Sequence, residues 1–167
     1  DIKLCNLRPE VERTFRLIGV NGLMESYPTQ EEAIQSFAHK PVLLNEIIEL
    51  LDPKPGAIVL DGTIGSGGHA KAFLERIGPE GRLIGLDQDP EAICRCRKLL
   101  GDDPRVTLVQ RNFRDLELVL NDLNMTKVDR ILFDIGLSSD QLADCKRGFS
   151  FQTEGDLDMR MNPAVGS

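Results

Sequence analysis

Asp61, Asp87 and Asp134 each close a run of apolar residues, and the first of them opens the turn "DGTIGSGGH", residues 61 to 69. Glycines packed that densely leave the backbone bare and free to take left-handed conformations, so the turn can pass close to a small molecule. Gly65-x-Gly67-x-x-Ala70 fits the G-x-G-x-x-A form of a dinucleotide turn, with Asp87 about 20 residues further on. The same glycines also suit a tight strand-to-helix turn that holds no ligand. Charge separates these readings. The Asp61 carboxylate stands ahead of the glycines; it would repel a pyrophosphate and attract a ligand carrying an ammonium and a sulfonium. S-adenosylmethionine has both cations, so Asp61 and Gly65 are expected to face that cofactor. Asp87 has two acceptor oxygens for the two ribose hydroxyls. Nicotinamide enzymes use the same contact, so Asp61 is the discriminating residue. An NAD-dependent oxidoreductase is further disfavoured because no base stands at hydride-transfer spacing.

The elements that must position these groups follow a regular rhythm from His39 onward. "PVLLNEIIELLD" reads as an amphipathic helix stopped by Pro53 and Pro55. Then come strand "AIVLD", helix "HAKAFLERIG", strand "RLIGLD", helix "PEAICRCRKLL", strand "VTLVQRN", helix "FRDLELVLNDLN" and strand "DRILFD". Nearly all-apolar strands separated by amphipathic helices indicate a parallel sheet covered on both faces. The strands are expected to end in Asp61, Asp87, Asn112 and Asp134, and ligands collect outside those carboxyl ends. Beyond Asp134 lies a long polar stretch, of the kind that is usually functional or disordered. The first 38 residues have a different order: strand "IKLCNL", helix "RPEVERTFRLIGV", strand "LMESY" and helix "QEEAIQSFA". Gly19 and Gly22 break the middle, and Thr29 with Glu32 would form a capping box.

Bulk properties agree with a globular protein of 167 residues, 41% hydrophobic and 28% charged. No run reaches the ~18 apolar residues of a membrane span, and no secretory leader is evident. A cytoplasmic location is expected. The chain opens on Asp1 and stops after "MNPAVGS", which reads as a fragment. Cys94 and Cys96 are two apart in a helical pattern, so their side chains diverge and cannot share a metal; reduced thiols and no metal are expected. The net charge of −7 argues mildly against a nucleic-acid partner.

"HKPVLLNEIIELL", "DGTIGSGGHAKAFL", "GLDQDPEAI", "FDIGLSSDQLADCKRGFSF" and "LDMRMNP" together resemble the RsmH (MraW) family of S-adenosylmethionine-dependent rRNA (cytosine-N4)-methyltransferases. The resemblance covers roughly residues 39 to 167, the N-terminal half of that family's length. It implies a Rossmann-like sheet, here its first four strands, and methylation of a cytosine amino group in small-subunit rRNA. It implies cofactor contacts at Gly67, Gly68, His69, Asp87, Phe113, Asp134 and Gln141. Asp140 and Asp156 stand where the family usually has proline. Residues 1 to 38 instead resemble the C-terminal part of a STAS domain, the anti-sigma-factor-antagonist fold. That likeness implies two partial domains, 1–38 and 39–167. It also offers a rival function, a protein-interaction module carrying a non-catalytic α/β remnant.

Methylating an exocyclic amine requires the nitrogen in line with the methyl group and an acceptor for its proton. Asp134 occupies the place of the acidic residue in the Asp/Asn-Pro-Pro-aromatic motif, although "DIGL" lacks the prolines and the aromatic. It is therefore expected either to orient the amine or to contact the cofactor; a strand-end Asp also simply caps the next turn. His69 in a first helical turn is otherwise a solvated residue, and Phe113 otherwise a core residue; the resemblance is what marks them. Lys146, Arg147 and Arg160, with Phe149 and Phe151, interleave basic and aromatic groups in the manner of an RNA-facing loop. With four strands, the last would leave an apolar edge, to be covered by the N-terminal strands or by a second copy. Cofactor binding is expected of this chain, and catalysis less so.

Overall fold

The computed structural model describes residues 3–5, 25–27, 41, 43–138, 141–142, 144–150 and 155–163. Contacts divide the chain into two units, Asp1–Lys40 and Pro41–Ser167. In the first, β1 (Lys3–Cys5) and β2 (Glu25–Tyr27) pair in parallel, with Lys3 opposite Glu25. Parallel neighbours need a long crossover between them. The helix expected between them, the helix expected after β2, and the Thr29–Glu32 capping box lie outside the described residues.

The second unit runs α1 (Leu44–Leu51), β3 (Ile58–Asp61), α2 (Gly68–Ile77), β4 (Arg82–Asp87), α3 (Pro90–Leu100), β5 (Val106–Gln110), a 3-10 turn (Phe113–Asp115), α4 (Leu116–Asp122) and β6 (Arg130–Leu132). All four strands are parallel, in the spatial order β5-β4-β3-β6. Alternation along each strand feeds two cores. Val59 and Leu83 turn to one face, where Phe73, Ile77, Ile93 and Cys96 from α2 and α3 pack. Leu60, Ile84 and Leu86 turn to the other and meet Val119 of α4. Val59, Leu60, Leu83 and Leu86 have no exposed surface, which is why these strands read as unbroken apolar runs. α3 is started by Asp89, whose side chain accepts from the Glu91 N–H at 2.9 Å, with Pro90 at the first helical position.

Two strand ends differ from expectation. β5 stops at Gln110, because the Asn112 side chain leaves the ladder to accept from the Arg114 N–H at 3.0 Å and start the 3-10 turn. β6 stops at Leu132, because the Asp134 N–H donates to the Thr63 hydroxyl at 2.7 Å rather than to a strand. Among the described residues nothing pairs with the outer edge of β6, and Ile131 and Phe133 there are each 42% exposed. None of the described helices is long and apolar enough to cross a membrane.

The chain order rises through β3, β4 and β5 on one side and then jumps to β6 on the other. The crevice at such a reversal, outside the strands' carboxyl ends, is where open α/β sheets bind ligands. Asp61 ends β3 and Asp134 follows β6, so these two carboxylates flank it.

Candidate functional site

Asp61 is 1% exposed. Its Oδ1 accepts from the Thr63 N–H at 3.1 Å, while the Gly62 N–H donates to Leu132 O at 2.9 Å and binds β3 to β6. Burial pushes the Asp61 carboxyl up to about 7, and the negative charges of Asp87 and Asp134 push the same way against the Thr63 N–H. The chain thus encloses one carboxyl beside two others. A cation placed there would restore its charge.

Beyond Thr63 the turn is tied back to β4. The Ile64 N–H donates to Leu86 O at 2.9 Å, and the Gly65 N–H to Asp87 Oδ2 at 3.0 Å. The other oxygen, Asp87 Oδ1, accepts from the Asp89 N–H at 2.9 Å. Asp87 is raised by desolvation, with these two backbone donors opposing the shift. One carboxylate therefore sets the glycine turn and the start of α3 at once.

The glycines are bare for different reasons. A Cβ on Gly65, whose φ is +53°, would meet only Thr63 O at 3.9 Å, so open space lies beside it. At Gly67 (φ +87°) a Cβ would strike Cys96 Sγ at 2.9 Å, and at Gly68 the Pro41 ring at 2.4 Å. Close packing of the protein on itself requires these last two, and Gly65 is the one that leaves room. His69, expected to be solvated unless it served the cofactor, is 8% exposed in the first turn of α2. Phe113 is part-exposed and its ring meets Phe133 at 5.3 Å, tilted by 56°. Phe133 covers Gly62, where a Cβ would fall 2.1 Å from the ring.

The polar stretch after Asp134 is more built than its composition suggests. Gln141 is buried; its Nε2 donates to Asp89 Oδ2 at 3.0 Å and its Oε1 accepts from the Ser138 N–H at 3.0 Å. Arg147, in a 3-10 turn (Cys145–Arg147), is 5% exposed. Its Nη1 lies 3.2 Å from Asp89 Oδ2, and its Nη2 donates to Met161 O at 2.8 Å. The RNA-facing role expected of Arg147 does not fit this placement, because a guanidinium withdrawn from water and paired inside has no charge to offer a phosphate. Phe149 lies under the same guanidinium, 5.9 Å from ring centroid to carbon. Lys146 is exposed, and Arg160 is half-buried and paired with Asp158. Phe151 and Asp140 lie outside the described residues.

Sequence reasoning overlooked three participants. Asp89 receives Gln141 and Arg147 on its side chain, and "DPE" was a recognisable helix start. The Thr63 hydroxyl and Phe133 carried no signal, since both act only across the β3–β6 junction.

Residues 36–166 match the model of the MraW methylase family. Proteins described as ribosomal RNA small subunit methyltransferase H are similar: that of Heliobacterium modesticaldum is 50% identical over 129 residues, which is 76% of this chain and 41% of the relative. The one from Heliobacterium mobile is 53% identical over the same length and shares, and that of Coxiella burnetii 50% over 127 residues, 75% of this chain and 41% of the relative. The chain thus spans about two fifths of these relatives. A crystal structure provisionally described as an rRNA-methylase from Clostridium thermocellum superposes with a TM-score of 0.51 at 26% identity, over 59% of this chain and 53% of that one.

Proposed function

The chain belongs to the MraW methylase family, and from that premise we propose that it carries the cofactor half of an S-adenosylmethionine-dependent methyltransferase acting on the N4 amino group of a cytosine in small-subunit rRNA. The observation that carries this reading is the convergence of Asp61, Asp87 and Asp134 on the sheet's reversal point, beside the open space at Gly65. A carboxyl pushed up to about 7 by burial, with two further carboxylates beside it, suits a cationic ligand and is hostile to a diphosphate.

S-adenosylmethionine would be held by Asp61, by Asp87 through the ribose, by the Gly65–His69 turn and by the Phe113 ring, and when bound it supplies an electrophilic methyl group. The amine lone pair is delocalised into the base, so the protein must align the nitrogen and accept its proton. We assign that acceptance to Asp134, whose backbone is fixed by the Thr63 hydroxyl and whose charge reaches Asp61 across the crevice. Lys146 is the exposed basic group of the set left for RNA phosphates, while Arg160 would have to leave Asp158 to reach one. Gln141 supports the site through Asp89. The RNA partner and a cytoplasmic location follow from the same family reading. We further propose that residues 1–38 form a separate STAS-like segment that binds another protein, and that the β6 edge takes up a further strand or a second copy; the β1–β2 pair and the open edge are their respective supports.

Calorimetry on the full chain with S-adenosylhomocysteine, and NAD as control, tests the central claim. Binding of the former alone, reduced at least tenfold by Asp87→Ala, is the expected result. Heat from NAD, or from neither ligand, would sink it.

A further inference from the structure

The segment that follows β6 is attached at two places, one beyond the end of β3 and one beyond the end of β4. At its start, the Asp134 N–H is held by the Thr63 hydroxyl at 2.7 Å, beside β3. Further on, Gln141 and Arg147 both close on Asp89, beyond the end of β4. Ser138 and Gln141 hydrogen-bond to each other, so residues 135–138 run from the Thr63 attachment to the one at Asp89. Beyond that attachment the described residues pack closely: residues 145–148 lie against 155–159. Gly155 lies so near Cys145 O that a Cβ would fall 2.2 Å from it, Gly148 stands equally close to Asp156 O, and the Met159 N–H donates to Arg147 O at 2.9 Å.

Everything in this arrangement meets at one carboxylate. Asp89 has no exposed surface, and it accepts from the Glu91 N–H and from Gln141 while pairing with Arg147. Its own N–H donates to Asp87. Arg147 in turn holds the far end of the segment through Arg160 O at 3.2 Å and Met161 O. A buried pair of this kind adds little to bulk stability, yet removing one partner leaves the other charge buried and isolated, which is costly.

We propose that Asp89 and Arg147 are positioning residues: their ion pair seats residues 144–148 and 155–161 beyond the carboxyl end of β4, so that these residues and the cofactor crevice form as one unit. Neither residue touches the ligand. They act through Asp87, Gln141 and the strap of residues 135–138. The claim rests on the reading of Asp87 and Asp61 as cofactor ligands, and it adds a reciprocal requirement: ligand and segment must stabilise each other.

The test uses the full chain, S-adenosylhomocysteine, and the variants Arg147→Met and Arg147→Lys. Met fills the buried volume without a charge, whereas Lys restores a cation within reach of Asp89. The expected result is a tenfold or greater loss of affinity in Arg147→Met and recovery to within threefold in Arg147→Lys. Hydrogen exchange on the unaltered chain is measured alongside, where saturating ligand should slow the amides of Gln141, Lys146 and Arg147. Binding by the unaltered chain that is unchanged within twofold in Arg147→Met overturns the positioning role and leaves the cofactor reading standing. If Arg147→Met fails to fold, the exchange experiment decides, and unaltered rates at those three amides overturn the proposal. Absence of binding by the unaltered chain removes the cofactor reading and this inference with it.

Discussion

Replacing Asp61 by Asn should make the ligand-free protein less stable in acid and more stable above neutrality. The Asp61 carboxyl stands at about 7 in the fold against an ordinary 3.8, a difference of about 4 kcal/mol at ~1.4 kcal/mol per pH unit. Because the folded value is raised, the folded state holds this proton more tightly than the unfolded chain. The associated stability is fully present below pH 3.8, declines as pH rises towards 7, and is gone above it. Asn keeps an oxygen for the Thr63 N–H and cannot ionise, so it escapes that decline. Against this, its amide hydrogens replace a carboxyl in a site built for acceptors, at a cost of roughly 1–2 kcal/mol. The net expectation is about 1–2 kcal/mol of destabilisation at pH 4 and about 2–3 kcal/mol of stabilisation at pH 8. In urea the second figure moves the midpoint upward by roughly 1 M. Paired denaturation curves at pH 4, 6 and 8 provide the assay, and other titrating groups cancel in the difference. A difference between variant and parent that stays constant across that range would show that Asp61 is ionised in the fold, and the electrostatic argument would fail.

Because a bound cation needs Asp61 ionised, affinity for S-adenosylmethionine should rise about tenfold between pH 6 and pH 8, since the carboxyl titrates near 7; a flat calorimetric profile contradicts this, and Asp61→Asn should flatten it. The two glycines of the turn with positive φ should separate stability from binding. Gly67→Ala drives a methyl against Cys96 Sγ and should cost about 2–3 kcal/mol in denaturation, whereas Gly65→Ala, with open space beside it, should cost about 1 kcal/mol and weaken ligand binding more than tenfold.

The strand positions were readable because burial on both faces leaves no room for alternation: "RLIGLD" occupies β4 from its first residue to its last. The α3 boundaries were readable for a local reason too, a capping Asp followed by Pro at one end and Gly101 at the other. Site residues divided along a similar line. That Asp61 and Asp87 end their strands as enclosed carboxylates was legible, since a charge at the end of an apolar strand is costly to bury unless donors or a cation meet it there. The placement of Arg147 was not, because whether a loop arginine faces water or a buried partner depends on which carboxylate the fold brings to it, and Asp89 lies two elements away in the sheet. Gly67 and Gly68 carried the right pattern for a mixed reason. Their lack of side chains answers to Cys96 and Pro41, facts of packing that no spacing rule contains.

Cys96 adds a practical consequence. Its thiol is sealed behind Gly67 and held by burial up to about 12, so at neutral pH alkylating reagents find almost no thiolate there, while Cys94 and Cys145 stand exposed. Modification of Cys96 must await separation of α3 from the glycine turn. Its labelling rate, timed against those two surface thiols, is therefore an intrinsic clock for how often the crevice floor comes apart.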